Sequence, residues 1–88
     1  MDLDYDPAKR QSNLEKHGVD FDDAVHFGFS TALVWEDERV DYGEVRWVAI
    51  GFLELRLHVI CFTETDTGIR VISFRKANKR EVKEYEDQ

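Results

Sequence analysis

The stretch Ile69-Arg70-Val71-Ile72-Ser73-Phe74-Arg75-Lys76-Ala77-Asn78-Lys79-Arg80 decides how the chain is read. Ile69 to Phe74 alternates and is rich in β-branched residues, which predicts a buried strand. At Asn78 the pattern changes to a short charged helix, capped by Asn78, fading near Tyr85 and packed through Val82 and Tyr85. Six of the 12 Lys and Arg residues lie between Arg70 and Lys83, with Glu81 the only acid among them. A chain of net charge −7 has therefore gathered positive charge in one place, where a local field can hold a polyanion.

Upstream of this strand the period is also two. Val45 to Phe52 and Leu55 to Thr63 predict two further strands, joined by a short connection beginning at Gly51. Asp66-Thr67-Gly68 is the turn into the last strand. Thr31 to Trp35 predicts the first strand of the set, followed by a polar, acidic turn region from Glu36 to Gly43. Short connections imply consecutive antiparallel pairing, a four-stranded meander.

The N-terminal third reads differently. Leu3 to Tyr5 is a candidate short extra strand. Asp6-Pro7 starts a helix that runs to His17 and stops at Gly18, with a thin apolar stripe of Ala8 and Leu14. Its spacing puts Lys9, Asn13, Lys16 and His17 on one face. Asp20 caps a second predicted helix, with Phe21, Ala24, Val25 and Phe27 as its apolar face and Gly28 as its end. The expected architecture is α+β, with two N-terminal helices, the meander and a C-terminal helix, all helices on one face of the sheet.

Length and composition set the bounds. Eighty-eight residues make one domain, residues 1–88, that buries about 60–65% of its unfolded surface. Cys61, the single cysteine, excludes an internal disulfide and reads as a small core residue. No signal-peptide pattern and no apolar run of about 20 residues is present, so a cytoplasmic protein off the membrane is expected. Residues 1–44 carry 12 acids and 4 bases, whereas residues 45–83 carry 4 acids and 8 bases. Part of this is a solvated surface that keeps the protein soluble.

No metal-ligand spacing, phosphate-binding glycine loop or nucleotide fingerprint occurs, so no cofactor is expected. What remains is a set of Arg, Lys and His with a few carboxylates. Such a set suits metal-free RNA phosphodiester cleavage, in which the 2′-hydroxyl attacks phosphorus. A base takes the hydroxyl proton, an acid protonates the leaving 5′-oxygen and cations stabilise the phosphorane. Arg75, at the strand–helix junction, is the leading candidate for that charge; its bland reading is a surface arginine paired with Glu81 or Glu84. Arg70 falls on the opposite face from Arg75 unless a bulge re-aims one of them. His17 is the proton-transfer candidate, and its helix C-terminal position is expected to favour the charged form. Lys9, Lys16, Lys76, Lys79 and Arg80 are expected to attract phosphate. Glu44 and Arg46 read as a salt-bridged pair, with catalytic support as the alternative. His26 is expected to be partly buried, His58 to share a sheet face with Arg56, and Trp35 and Trp47 to be core.

Three blocks carry a family resemblance. Asp6-Pro7-Ala8-Lys9 with Asn13-Leu14-Glu15-Lys16-His17-Gly18-Val19, then Phe21 and Ala24, resembles the N-terminal signature of the BrnT toxins. Gly43-Glu44-Val45-Arg46 with Gly51 is similar to their central segment, and Arg70-Val71-Ile72-Ser73-Phe74-Arg75-Lys76-Ala77 with Glu81 and Tyr85 to their C-terminal one. The resemblance implies a RelE-like ribonuclease fold, the toxin half of a type II toxin–antitoxin pair. It also implies inhibition of translation by RNA cleavage and neutralisation by a BrnA antitoxin with a ribbon-helix-helix part, through which alone operator DNA is bound. Lys9, His17, Arg70, Arg75 and Lys76 match the motif positions, as do Glu44 and Arg46. Phe74 departs from the small residue usual between Ser and Arg, and Phe27-Gly28-Phe29-Ser30 lacks the usual acid. Two rivals stand beside this reading: a non-catalytic protein-binding module, and a regulatory subunit of a DNA-binding repressor complex.

Overall fold

Five strands and two α-helices account for the regular structure in the computed structural model, which describes all 88 residues. The strands are β1 (Asp2–Asp4), β2 (Leu33–Glu36), β3 (Trp47–Leu53), β4 (Arg56–Glu64) and β5 (Gly68–Lys76). The helices are α1 (Pro7–His17) and α2 (Lys79–Glu86). The sheet order is β1-β5-β4-β3-β2, so the expected antiparallel meander forms, and β1 is added in parallel at the β5 edge. The N-terminal strand, Asp2–Asp4, lies one residue earlier than the expected Leu3–Tyr5.

Helices cover both faces of the sheet, not one. On the first face α1 and the segment after it close over Phe21, Ala24, Phe27, Ile60, Val71 and Phe74. On the second, α2 lays Val82 and Tyr85 against Ile50, Leu57, Val59 and Ala77. The reason is that β3 and β4 carry apolar side chains on both sides along part of their length, as central strands do.

The second predicted helix is a 3-10 helix, Phe21–His26, capped by Asp20 as expected, with a further 3-10 turn at Phe29–Thr31. Its buried residues, Phe21 and Ala24, and the following Phe27 are three apart, the repeat of a 3-10 helix. Val25, offset by one, is exposed, and so is His26. β2 consequently begins at Leu33, not Thr31.

Two loop details differ from expectation. Gly51 lies inside β3, where a Cβ would stand 2.7 Å from Phe27 Cζ; the turn is Glu54-Leu55, with Glu54 at φ 56°. In α1, Ala8 is exposed and the buried residue is Asn13. Asn13 Nδ2 donates to the Val19 and Phe74 carbonyls at 3.0 and 2.7 Å, and Phe74 N donates to Asn13 Oδ1 at 3.1 Å. β1 pairs with β5 only as far as Arg70, so this side chain continues the ladder where the strand has ended.

Candidate functional site

The site is built on a β-bulge. Cys61 pairs with Ser73 but Phe62 pairs with Val71, so Ile72 is an extra residue in β5. The bulge resets the alternation. Ile69, Val71 and Phe74 all enter the first-face core, while Arg70, Ser73 and Arg75 point to the second face. Arg70 and Arg75 thus share a face, which strict alternation forbids.

Two concavities meet at Ile72 and Ser73. The larger, about 690 Å³, lies on the second face, between β2, the loop after it, β5 and α2. Arg39, Arg46, Arg75 and Arg80 line it together with Glu36, Asp37, Glu38, Glu81 and Glu84. The smaller, about 280 Å³, runs beside α1 and is lined by Lys9, Ser12, Asn13, Lys16 and His17, with no carboxylate. The free edge of β5 beyond Arg70 is therefore flanked by cations on both sides.

Arg75 is held firmly. Its Nη1 and Nη2 each donate to a Glu81 carboxylate oxygen at 2.8 Å, and Nη1 also reaches the Lys76 carbonyl at 3.3 Å. Glu81 is itself fixed, because it forms the α2 capping box: its Oε1 accepts from Asn78 N at 2.9 Å, while Glu81 N donates to Asn78 Oδ1. The Arg75 guanidinium, aided by the Asn78 amide, holds the Glu81 carboxyl below the usual range. The capping box therefore aims the arginine.

His17 is half-buried, and its pKa is lowered by that burial, then by the charges of Lys16 and Arg75. The expectation that the helix C-terminus would favour the imidazolium is corrected: neighbouring cations and desolvation outweigh the dipole. His17 lines the notch and Arg75 the cavity, so the two stand on either side of the β5 edge and share no concavity; the charge of Arg75 is the smallest of the causes that lower the His17 pKa.

The loop between β2 and β3 supplies what the sequence did not reveal. Asp37 is buried and accepts from Arg39 Nε and Nη2, both at 2.8 Å, and from the Tyr42 hydroxyl at 3.3 Å. The Arg39 guanidinium draws its pKa down to about 2, against the opposing effect of burial. The Arg46 guanidinium lies 4.0 Å from the Tyr42 ring centroid, stacked as a cation on an aromatic face. Trp35 is 39% exposed and lines the cavity, so it is not core; Trp47 packs against the core as expected. An alternation reading places Trp35 in a strand, but only the edge position of β2 leaves it uncovered.

Other candidates lie elsewhere. Arg70 Nη2 donates to both Glu44 oxygens, at 2.9 and 2.8 Å, outside both concavities. The expected Glu44–Arg46 pair does not form, because Glu44 is taken by Arg70 and Arg46 by Tyr42. Lys76 lies by Arg56 and His58 at the far end of β5, and Lys79 lines an apolar groove with Phe52 and Leu57. His58 is buried, with Nδ1 2.8 Å from the Arg56 carbonyl and its ring edge-on to Phe74. Cys61 is half-buried on the cavity floor, and burial pushes its thiol pKa up. No three His, Cys, Asp or Glu side chains are grouped to hold a metal ion. No helix is long and apolar enough to cross a membrane.

Comparison with known proteins gives consistent results. A family model described as ribonuclease toxin, BrnT, of type II toxin–antitoxin system matches residues 5–81. The crystal structure of the Brucella abortus ribonuclease toxin BrnT is similar over 90% of this chain and 99% of that one, with 31% identity and a TM-score of 0.72. No curated protein matches the chain in sequence.

Proposed function

The chain belongs to the BrnT family of type II toxin–antitoxin ribonuclease toxins, and from that premise we propose a metal-independent endoribonuclease acting at the β5 edge. The observation that carries the proposal is the carboxylate-free notch of Lys9, Lys16 and His17 lying against the residues that present Arg75. The lysines attract the phosphate, and His17, neutral near pH 7, takes the 2′-hydroxyl proton. The 2′-oxygen attacks phosphorus while Arg75 stabilises the charge gathering on the phosphorane oxygens. An ammonium of the notch, Lys9 or Lys16, protonates the leaving 5′-oxygen. The products are a 2′,3′-cyclic phosphate and a 5′-hydroxyl.

Arg80 borders the larger cavity and adds to the phosphate field, as Lys76 and Lys79 do from further away. Arg70, tied to Glu44, and Arg46 support the site without reaching the scissile group. In this reading residues 1–88 act as one toxin unit of RelE-like fold in the cytoplasm. A BrnA-like ribbon-helix-helix antitoxin neutralises it and alone brings the complex to operator DNA.

One observation favours a second reading, a protein-binding module without cleavage: both Arg75 terminal nitrogens are already taken by Glu81. Inducing the chain in cells with and without the adjacent gene separates the two. A ribonuclease toxin arrests growth and degrades RNA only without its antitoxin, and Arg75→Ala relieves both effects. A binding module leaves RNA intact, and Arg75→Ala changes nothing.

A further inference from the structure

The two concavities differ in what they can bind. The charged groups of the notch are cationic, with no carboxylate among them, whereas the cavity sets four arginines against five carboxylates. Walls so balanced give a polyanion little net attraction, but they suit a neutral group rich in donors and acceptors. The cavity also presents aromatic and guanidinium planes: exposed Trp35, and Tyr42 with Arg46 stacked on its ring. Proteins hold unpaired RNA bases on such planes and read their edges by hydrogen bonds.

Arg46 is the distinctive member. Arg39, Arg75 and Arg80 each have a carboxylate partner, but Arg46 has none, and its Nε is buried without a hydrogen-bond partner. The buried Nε is closed to a ligand, but the terminal nitrogens of this flat guanidinium make no hydrogen bond within the protein and are the complement of guanine O6 and N7. Glu36 and Glu38, in the same cavity and without ion pairs, supply acceptors for guanine N1–H and N2–H₂.

We infer that the cavity is a subsite for an unpaired guanine base, stacked by Trp35 and read by Arg46, whose phosphate lies across Ile72-Ser73 in the notch. This deepens the ribonuclease reading, and the link to cleavage rests on it. Trp35 and Arg46 are then specificity-determining residues.

Binding and cleavage are measured separately. Trp47→Phe leaves Trp35 as the only tryptophan, so its fluorescence reports the cavity directly. Guanosine 5′-monophosphate quenches it, cytidine 5′-monophosphate binds about tenfold more weakly, and Arg46→Ala removes that difference. Equal quenching by both nucleotides, or none, overturns the inference whether or not the protein cuts RNA. In the second arm a random-sequence RNA is cleaved and its ends sequenced. The wild type shows guanine enriched beside the cut, and Trp35→Ala flattens the enrichment. Cuts without nucleotide preference overturn the inference and leave the ribonuclease reading standing. A protein that cuts no RNA but discriminates the nucleotides sinks the ribonuclease reading and upholds the base subsite.

Discussion

Single side chains decide how the site is presented. Asn13 is the clearest, because its amide stands in for a strand and ties α1 to β5 beside the notch. Removing it strands buried backbone groups, each costing about 1–3 kcal/mol. Asn13→Ala is expected to lower unfolding stability by about 2–3 kcal/mol, measured by urea denaturation with the slope unchanged. As the proposed base, His17 would set the pH response. Its pKa in the folded protein lies below 6.5, so the imidazole is neutral at pH 7 and gains its proton only as pH falls. If it is the base, cleavage is flat near neutrality and drops on the acid side, with a midpoint below 6.5, in a pH–rate profile. Residue-level reading of the sequence singled out His17, the two lysines and Arg75, which the fold brings to the two sides of the β5 edge. It could not foresee the His17 shift, because the burial that chiefly causes it is set by tertiary packing, with the charges of Lys16 and Arg75 adding to it. Nor could it see Arg46 on Tyr42, because a charged side chain near an acid looks like a salt bridge until a loop places both.

At the scale of elements, periodicity carried most of the information. The alternating runs and the Asp66-Thr67-Gly68 turn specify the meander, and Asp6-Pro7 with Gly18 bounds α1 correctly. Three features escaped. The three-residue spacing of Phe21, Ala24 and Phe27 is nearly as compatible with an α-helix, so the 3-10 form was hidden. The bulge at Ile72 leaves no local signal beyond the awkward spacing of Arg70 and Arg75, which alternation alone cannot resolve. The second helix layer depends on α2 folding back over β3 and β4. Gly51 shows how tightly these elements meet. A Cβ there would stand 2.7 Å from Phe27 Cζ and 3.1 Å from Ala32 Cβ. Gly51→Ala is therefore expected to cost about 1–3 kcal/mol in thermal or chemical unfolding, through overpacking between β3 and the segment after α1.

For the whole molecule the central fact is a small cationic site on an acidic protein. The net charge is −7, yet the notch holds two lysines and a histidine without a carboxylate. Long-range repulsion of RNA must be overcome at short range, by contacts that salt weakens. Cleavage of a fixed RNA is expected to slow several-fold between about 50 and 200 mM salt, more steeply in the wild type than in Lys9→Ala/Lys16→Ala. A rate insensitive to salt in both would remove phosphate attraction from the account.

The most direct measurement is cleavage of a defined single-stranded RNA by the purified wild type, His17→Ala and Arg75→Ala, each checked for folding by circular dichroism. Both variants are predicted to retain the wild-type spectrum and to lose at least about tenfold in rate, the range expected for removing a general base or a preorganised charge. Folded variants that cut as fast as the wild type would show that the β5 edge is not where the chemistry happens.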